Sequence, residues 1–408
     1  MKHRRSTLML ASVASMIDQF NMPNIRLMQE MGYEVHVACN FKEGNTCDMQ
    51  RIRKFQKTLQ KLGVIRHQWD CPRSVLPVSG CCRAYMQLWE LTGRYHYEWI
   101  HCHSPIGGVL ARVAAHRRGI RVIYTAHGFH FYQGAPWKNW ILYYPVEKLL
   151  AHCTDVLITV NREDYMFAKK NLRAKKIRYI PGVGIDIKKF AVKTDDQEEK
   201  SCRESSVCPA SQAEIFRRKY QIPDQAKILL SVGELNEGKN HKMVITALAE
   251  LKRQDVYYLI CGQGALYDEL EKYARSLGVG NCVRMPGFLE ELVWIYQNAD
   301  IFVFPSLREG MPVSLMEAMA AGLPCVVSDI RGNRELIDDA GRDLVCSGGI
   351  RFSLGHPEQL HNALRMLLDH ASLRQKYGRY NQKRIKRYGQ EAVQRRMKMI
   401  YEEIEKCK

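Results

Sequence analysis

Apolar residues fall in short runs separated by stretches of helical period, and this alternation continues along most of the chain. In the first half, Thr7 to Ala11, Glu34 to Cys39, Trp99 to His101, Val122 to Tyr124, Val156 to Val160 and Ile177 to Ile180 read as strands. Asp18 to Met31 reads as a helix ended by Gly32. Short continuous apolar runs suit strands buried on both faces, and alternation with helices predicts a parallel sheet covered on both sides. The second half restarts the pattern with Ile228 to Val232, Tyr257 to Cys261, Val283 to Met285, Ile301 to Pro305 and Cys325 to Ser328. Helices such as His241 to Arg253 and Leu266 to Leu277 lie between them. Two Rossmann-like, doubly wound α/β domains are expected, and such sheets bind ligands at the carboxyl ends of their strands. Domains facing across a cleft would hold that ligand between them.

Composition sharpens the division. A chain of 408 residues suits two domains. The stretch from Thr194 to Gln212 is acidic and poor in apolar residues, with Asp195, Asp196, Glu198, Glu199 and Glu204. The expected organisation is a first domain over 1–192, an acidic linker or insertion over 193–212, a second domain over 213–380, and a C-terminal helix over 381–408 packing back toward the first domain. None of the 14 cysteines forms a Cys-x-x-Cys pair, so they read as reduced, small hydrophobes. Cys202 and Cys208 read as part of a solvated loop.

With 61 Lys and Arg against 43 Asp and Glu, the net charge is +18, which favours anionic partners. Met1 to Ala11 holds too short an apolar run for a secretory signal, and no stretch reaches about 18 consecutive apolar residues. The chain reads as cytoplasmic, with any membrane contact at the surface, on the inner face of the plasma membrane. Trp137 to Tyr144, beside Lys138 and Lys148, suits either a lipid interface or a helix packed in the first core.

The chemistry concentrates between Ile301 and Glu317. A buried strand ends at Pro305, a loop carries Glu309 and Gly310, and Pro312 is placed for the first turn of a helix containing Glu317. Free N–H groups near Val313, Ser314 and Leu315 make an anion site at the helix start. Two carboxylates beside a phosphate site suit a nucleotide sugar, one for each polyol. A second segment, Ser231 to Asn240, places Lys239 in a polar, Gly-containing loop after a strand, where it can neutralise a diphosphate leaving group. Thr125-Ala-His127-Gly128 follows a strand of the first sheet. His127 and His130 are three apart but lack an apparent third metal ligand. His101-Cys102-His103 reads as loop packing or cleft wall.

The Glu309 and Glu317 pair within Pro-Ser-x-x-Glu-Gly-x-Pro resembles the donor-site signature of the retaining GT-B enzymes of glycosyltransferase family 4, of the bacterial capsular and exopolysaccharide type. The resemblance covers nearly the whole chain. It implies that Glu317 binds the donor ribose and that Glu309 contacts the donor sugar near its anomeric carbon. It also implies that Gly310, Met311, Val313, Ser314 and Leu315 line the sugar and diphosphate. Lys239 matches the lysine of the family's Gly-Arg-Leu-x-x-x-Lys motif, while Glu234 replaces its arginine. His127 takes the place of a histidine that contacts the donor sugar. Gly262 and Phe288 lie in loops that hold the base. The Gly-rich loop after the first strand is missing; Ser15 occupies its position, and Asp18 is assigned to the acceptor side.

The implied reaction transfers a hexose from a nucleotide sugar, a UDP-sugar by expectation, to a glycan or polyprenyl-diphosphate-linked acceptor in surface polysaccharide synthesis. No cofactor or metal is expected, since no Asp-x-Asp motif is present. Two alternatives are a sugar-nucleotide 2-epimerase on the same fold and a basic nucleic-acid-binding protein. No zinc-finger or RNP-type motif supports the latter, and nucleic acid is not an expected partner.

Overall fold

The computed structural model describes residues 5–43, 47–74, 76, 78–190, 209–337 and 347–406, with side chains from 214 in the segment that begins at 209. Most of the acidic 193–212 stretch, with Cys202 and Cys208, lies outside the described residues. The chain divides into two compact units, Met1–Gly184 with Glu391–Lys408, and Ile185–Gln390.

The first unit is built on a seven-stranded parallel sheet of β1 (Ser6–Val13), β2 (Glu34–Asn40), β3 (Ile65–Gln68), β4 (Tyr97–His103), β5 (Arg121–Ala126), β6 (Val156–Thr159) and β7 (Lys176–Tyr179). Its order is β3-β2-β1-β4-β5-β6-β7. β1 registers Leu8 against both His36 and Ile100, so its apolar residues are central and covered from both sides. The expected single helix from Asp18 is two helices, Ala14–Phe20 and Met22–Glu30. The chain bends at Asn21, whose amide reaches the Met16 carbonyl at 3.2 Å.

The second unit carries β8 (Lys227–Val232), β9 (Val256–Cys261), β10 (Val283–Gly287), β11 (Ile301–Phe304), β12 (Cys325–Ser328) and β13 (Gly349–Phe352), in the order β10-β9-β8-β11-β12-β13. This is the dinucleotide-fold order, with its reversal between β8 and β11.

The boundaries differ from those read in the sequence. The first division falls at Gly184, and residues 381–390 stay with the second unit. Asn381 is buried there, its amide donating to the carbonyls of Leu323 and Gly348 at 2.7 Å each. The helix Gln390–Glu405 packs on the first sheet. Its Tyr401 stacks on Trp99 with centroids 4.9 Å apart, and the Arg121 guanidinium donates to the Ile404 carbonyl at 2.5 Å.

Candidate active site

In the second unit, the loops after β8 and β11 meet at the reversal point of the sheet. After β8, Glu237–Lys239 forms one 3₁₀ turn, capped by the Asn236 side chain, which accepts from the Lys239 N–H at 3.1 Å. Asn240 then takes a left-handed conformation, φ 54°, which asparagine tolerates. The Leu307 N–H donates to the Gly238 carbonyl at 2.8 Å and ties the two loops together. The Lys239 stem passes over Gly233, where an added Cβ would stand 3.2 Å from its Cε. Lys239 Nζ lies 2.5 Å from Glu309 Oε1, with both side chains largely buried.

Three further groups hold the Glu309 loop. Ser328 Oγ donates to the Ser306 carbonyl at 2.5 Å, and Arg331 Nε donates to the Glu309 carbonyl at 3.2 Å. Gly332 lies so close that a Cβ there would be 2.6 Å from the Gly310 carbonyl oxygen. Gly310 and Met311 are half-buried in the loop. The helix is Val313–Ala320, so Pro312 stands just before its first turn, not within it, and offers no side-chain cap. The early N–H groups are thus left for another acceptor. Val313 and Ser314 are half-buried, whereas Leu315 packs its side chain into the core.

Glu317 lies one turn in. The Tyr296 hydroxyl donates to its Oε2 at 2.9 Å. Burial raises its pKa to about 7, against smaller opposing effects from that hydrogen bond and from the Lys189 charge. Gly262 is required by the backbone: a Cβ would sit 1.8 Å from the Gly233 carbonyl oxygen. Its N–H donates to the Gly287 carbonyl at 2.9 Å, and Phe288 follows, 39% exposed. Glu234 is exposed.

In the first unit the order reverses between β1 and β4. Ser12 and Ser104 bridge this point, with Oγ–Oγ 2.9 Å and the Ser12 N–H donating to Ser104 Oγ at 3.0 Å. Ser104 has φ 65°, a strained value for a side-chain-bearing residue. Ser15 is buried, and Asp18 is ion-paired with Arg51 at 2.7 Å. His127 is half-buried at the end of β5, its Nε2 3.0 Å from His103 Nδ1, and burial lowers its pKa to about 4. His101 and His103 lie within β4 rather than in a loop. His130 packs against Tyr143 instead of joining His127, with centroids 4.6 Å apart. Among the described residues no group of three or more His, Cys, Asp or Glu is placed to hold a metal ion.

The motifs pointed to Lys239, Glu309 and Glu317, and the structure brings the first two into contact. Tyr296, Ser104, Arg331 and Gly332 were missed. Their roles arise from contacts between segments distant in sequence, and no local motif marks them.

HepE from Anabaena, in complex with UDP-glucose, superposes with a TM-score of 0.75 at 16% identity, covering 98% of this chain and 99% of that one. The fold is therefore GT-B. Residues 212–384 match the family model of group 1 glycosyl transferases, and residues 25–189 match that of glycosyltransferase family 4. A putative glycosyltransferase of Bacillus subtilis, EpsD, is 34% identical over 404 residues, 97% of this chain and 96% of that one. The UDP-Gal:alpha-D-GlcNAc-diphosphoundecaprenol alpha-1,3-galactosyltransferase of Escherichia coli is 29% identical over 265 residues, 62% and 64% of the two chains. The chain belongs to glycosyltransferase family 4 and is a glycosyltransferase.

Proposed function

We propose that this enzyme transfers a hexose from a UDP-sugar to a hydroxyl of a polyprenyl-diphosphate-linked glycan, with retention of the anomeric configuration and without a metal. The observation that carries the reading is the Lys239–Glu309 contact at the sheet's reversal point, in the loop leading into a helix start with no side-chain cap. Lys239 and the first N–H groups of that helix meet the diphosphate, whose charge grows as the bond to the sugar breaks. Glu317 accepts from the ribose hydroxyls, Glu309 from a sugar hydroxyl, and His127 touches the sugar. The loops of Gly262 and Phe288 hold the base. The acceptor oxygen bonds to the anomeric carbon on the face that the diphosphate leaves, and a diphosphate oxygen takes its proton. The names of the Escherichia coli relative and of the UDP-glucose complex support the donor and acceptor classes.

Calorimetry with UDP-, GDP- and ADP-sugars in EDTA tests the donor site. A UDP-sugar binds, and Glu317→Gln abolishes or strongly weakens that binding. Failure of the folded enzyme to bind any nucleotide sugar would sink the reading. Because Glu317 titrates near 7 and must accept from ribose, donor affinity falls as pH drops below 7. The limit is about tenfold per pH unit if only the ionised form binds. UDP-sugars carry no group that titrates there, so binding at pH 6 releases a proton, read as a heat that depends on the buffer. A flat affinity between pH 5.5 and 8 would contradict this role.

The same reading includes contact with an anionic membrane, through the helix Trp137–Ala151. Its inner side seats Trp140, Tyr144 and Leu150 on the core. Its outer side exposes Ile141, Leu142, Val146 and Leu149 at helical spacing, with Trp137 beside them and Lys138 and Lys148 flanking. Glu147 is turned inward, so the exposed side of the helix carries only positive charge. Lysines around an apolar stripe suit an anionic lipid surface. The enzyme should sediment with phosphatidylglycerol vesicles and less with phosphatidylcholine, and Ile141→Ser with Leu149→Ser should release it. Equal sedimentation of the double variant would rule out this helix as the contact. Among the described residues no helix is long and apolar enough to cross a membrane.

A further inference from the structure

Three imidazoles stand together at the carboxyl ends of β4 and β5. His101 is fully buried, and both its ring nitrogens are partnered. Nδ1 lies 2.9 Å from the Tyr401 hydroxyl and Nε2 lies 2.8 Å from Thr125 Oγ1. His103 follows two residues on, its ring centroid 4.3 Å from that of His101. Its Nδ1 lies 3.0 Å from His127 Nε2, while its own Nε2 is buried with no hydrogen-bond partner among the described residues. Burial keeps the whole row neutral. It lowers the pKa of His101 to about 3 and that of His127 to about 4, and pushes His103 well below its usual value.

A neutral imidazole carries one N–H, and the two nitrogens differ in what they can do. If His103 held its proton on Nε2, that N–H would be buried with no acceptor. With the proton on Nδ1, the N–H is satisfied by His127 Nε2, and only a lone pair is left unpaired at Nε2. Orphaned buried donors are the rarer defect, so the second arrangement is favoured. His127 Nε2 must then accept, which leaves the His127 proton on Nδ1. Among the described residues His127 makes no second hydrogen bond, so that N–H is available to a ligand.

We propose that His103 is a positioning residue, which fixes His127 in its Nδ1–H tautomer so that His127 donates a hydrogen bond to a hydroxyl oxygen of the donor hexose. The inference rests on the reading of His127 as a sugar contact, and adds a direction to that contact. The hydroxyl is the acceptor, and its own proton is free for another partner. His103 acts only through His127, and His101, held at both nitrogens, supports the ring of His103 from behind.

The test has two independent readouts. In the ligand-free enzyme with ¹⁵N-labelled histidine, long-range ¹H–¹⁵N correlations report which nitrogen of His127 is protonated, with His127→Ala supplying the assignment. Nδ1 should be protonated and Nε2 bare. His103→Leu should shift the proton to Nε2 or into exchange between the two, and lower kcat about 10- to 100-fold, the size of loss seen when metal-ligating imidazoles lose their orienting partners. His103→Asn, whose amide N–H can replace that of Nδ1, should restore both the tautomer and most of the rate. A protonated Nε2 on His127 in the unmodified enzyme overturns the proposal. So does a His103→Leu variant with an unchanged tautomer, or an Asn variant as impaired as Leu. Should His127→Ala transfer at full rate, the sugar contact itself fails. That failure is read in the kinetics, while failure of the tautomer assignment is read in the spectrum.

Discussion

Lys239→Ala lowers kcat by about 10²- to 10³-fold, the loss found when one preorganised charge-stabilising group is removed from a transition state. The arginine that accompanies this lysine in the family's motif is replaced by Glu234, which is exposed. On the proposed reading, Lys239 carries more of the stabilisation of the departing diphosphate. Its ammonium is already held in place by Glu309 and by the face of Phe304, 5.0 Å to the ring centroid, so little reorganisation is needed when the donor arrives. The loss should lie mainly in kcat, because the diphosphate gains charge as the sugar departs. Lys239→Arg should recover part of the rate. Steady-state kinetics with saturating donor checks this. A Lys239→Ala enzyme within about threefold of the parent, where a lost transition-state charge costs far more, would remove Lys239 from the leaving-group site.

Glu147→Leu destabilises the first unit by about 3–5 kcal/mol, because it strands the buried Arg112 guanidinium. Arg112 is fully buried and meets both Glu147 oxygens, at 2.8 and 2.9 Å. Its Nε donates to the Gly108 carbonyl at 3.0 Å, and its guanidinium carbon lies 4.0 Å from the Tyr124 ring centroid. The pair fastens the helix Trp137–Ala151 to the helix Pro105–Arg118. The double variant Arg112→Leu with Glu147→Leu should be more stable than either single variant, since an apolar pair of similar size carries no desolvation cost. Urea unfolding followed by tryptophan fluorescence reads this unit well, because only Trp294 of the six tryptophans lies in the other. A Glu147→Leu variant as stable as the parent would mean that the Arg112 guanidinium finds another partner.

Much of the fold was legible because central strands of a parallel sheet are continuous apolar runs. β1, β8 and β11 announce themselves in this way. β3 and β13 did not. Ile65-Arg-His-Gln is a short edge strand with alternate residues exposed, and Gly349-Ile-Arg-Phe opens on a glycine, where an added Cβ would meet the Cys325 carbonyl oxygen at 2.0 Å. The close approach that makes this strand possible is a property of the folded sheet. The break at Asn21 was overlooked because the apolar period runs through it, although Pro23 in the first turn of the second helix marks it in the sequence and Asn21, at φ −121° and ψ 0°, marks it in the backbone.

At the candidate site, spacing revealed the residues that motifs fix locally, namely Glu309, Glu317 and Lys239. It could not reveal Tyr296, which is 21 residues from Glu317 and reaches it through packing, or Ser104, whose strain appears only in the backbone. Gly262 was read as a base-loop residue. The structure gives its glycine a backbone reason as well, through the approach of the Gly233 carbonyl.

The account stands most directly on the stereochemistry of transfer. The measurement is NMR of the early product formed from a UDP-α-hexose and a polyprenyl-diphosphate-linked saccharide, read through the one-bond C1–H1 coupling of the new linkage. The account predicts an α-linked product with release of UDP. A β-linked product would contradict the same-face mechanism, and an epimerised UDP-sugar with no acceptor product and little release of UDP would contradict the transferase reading of the site.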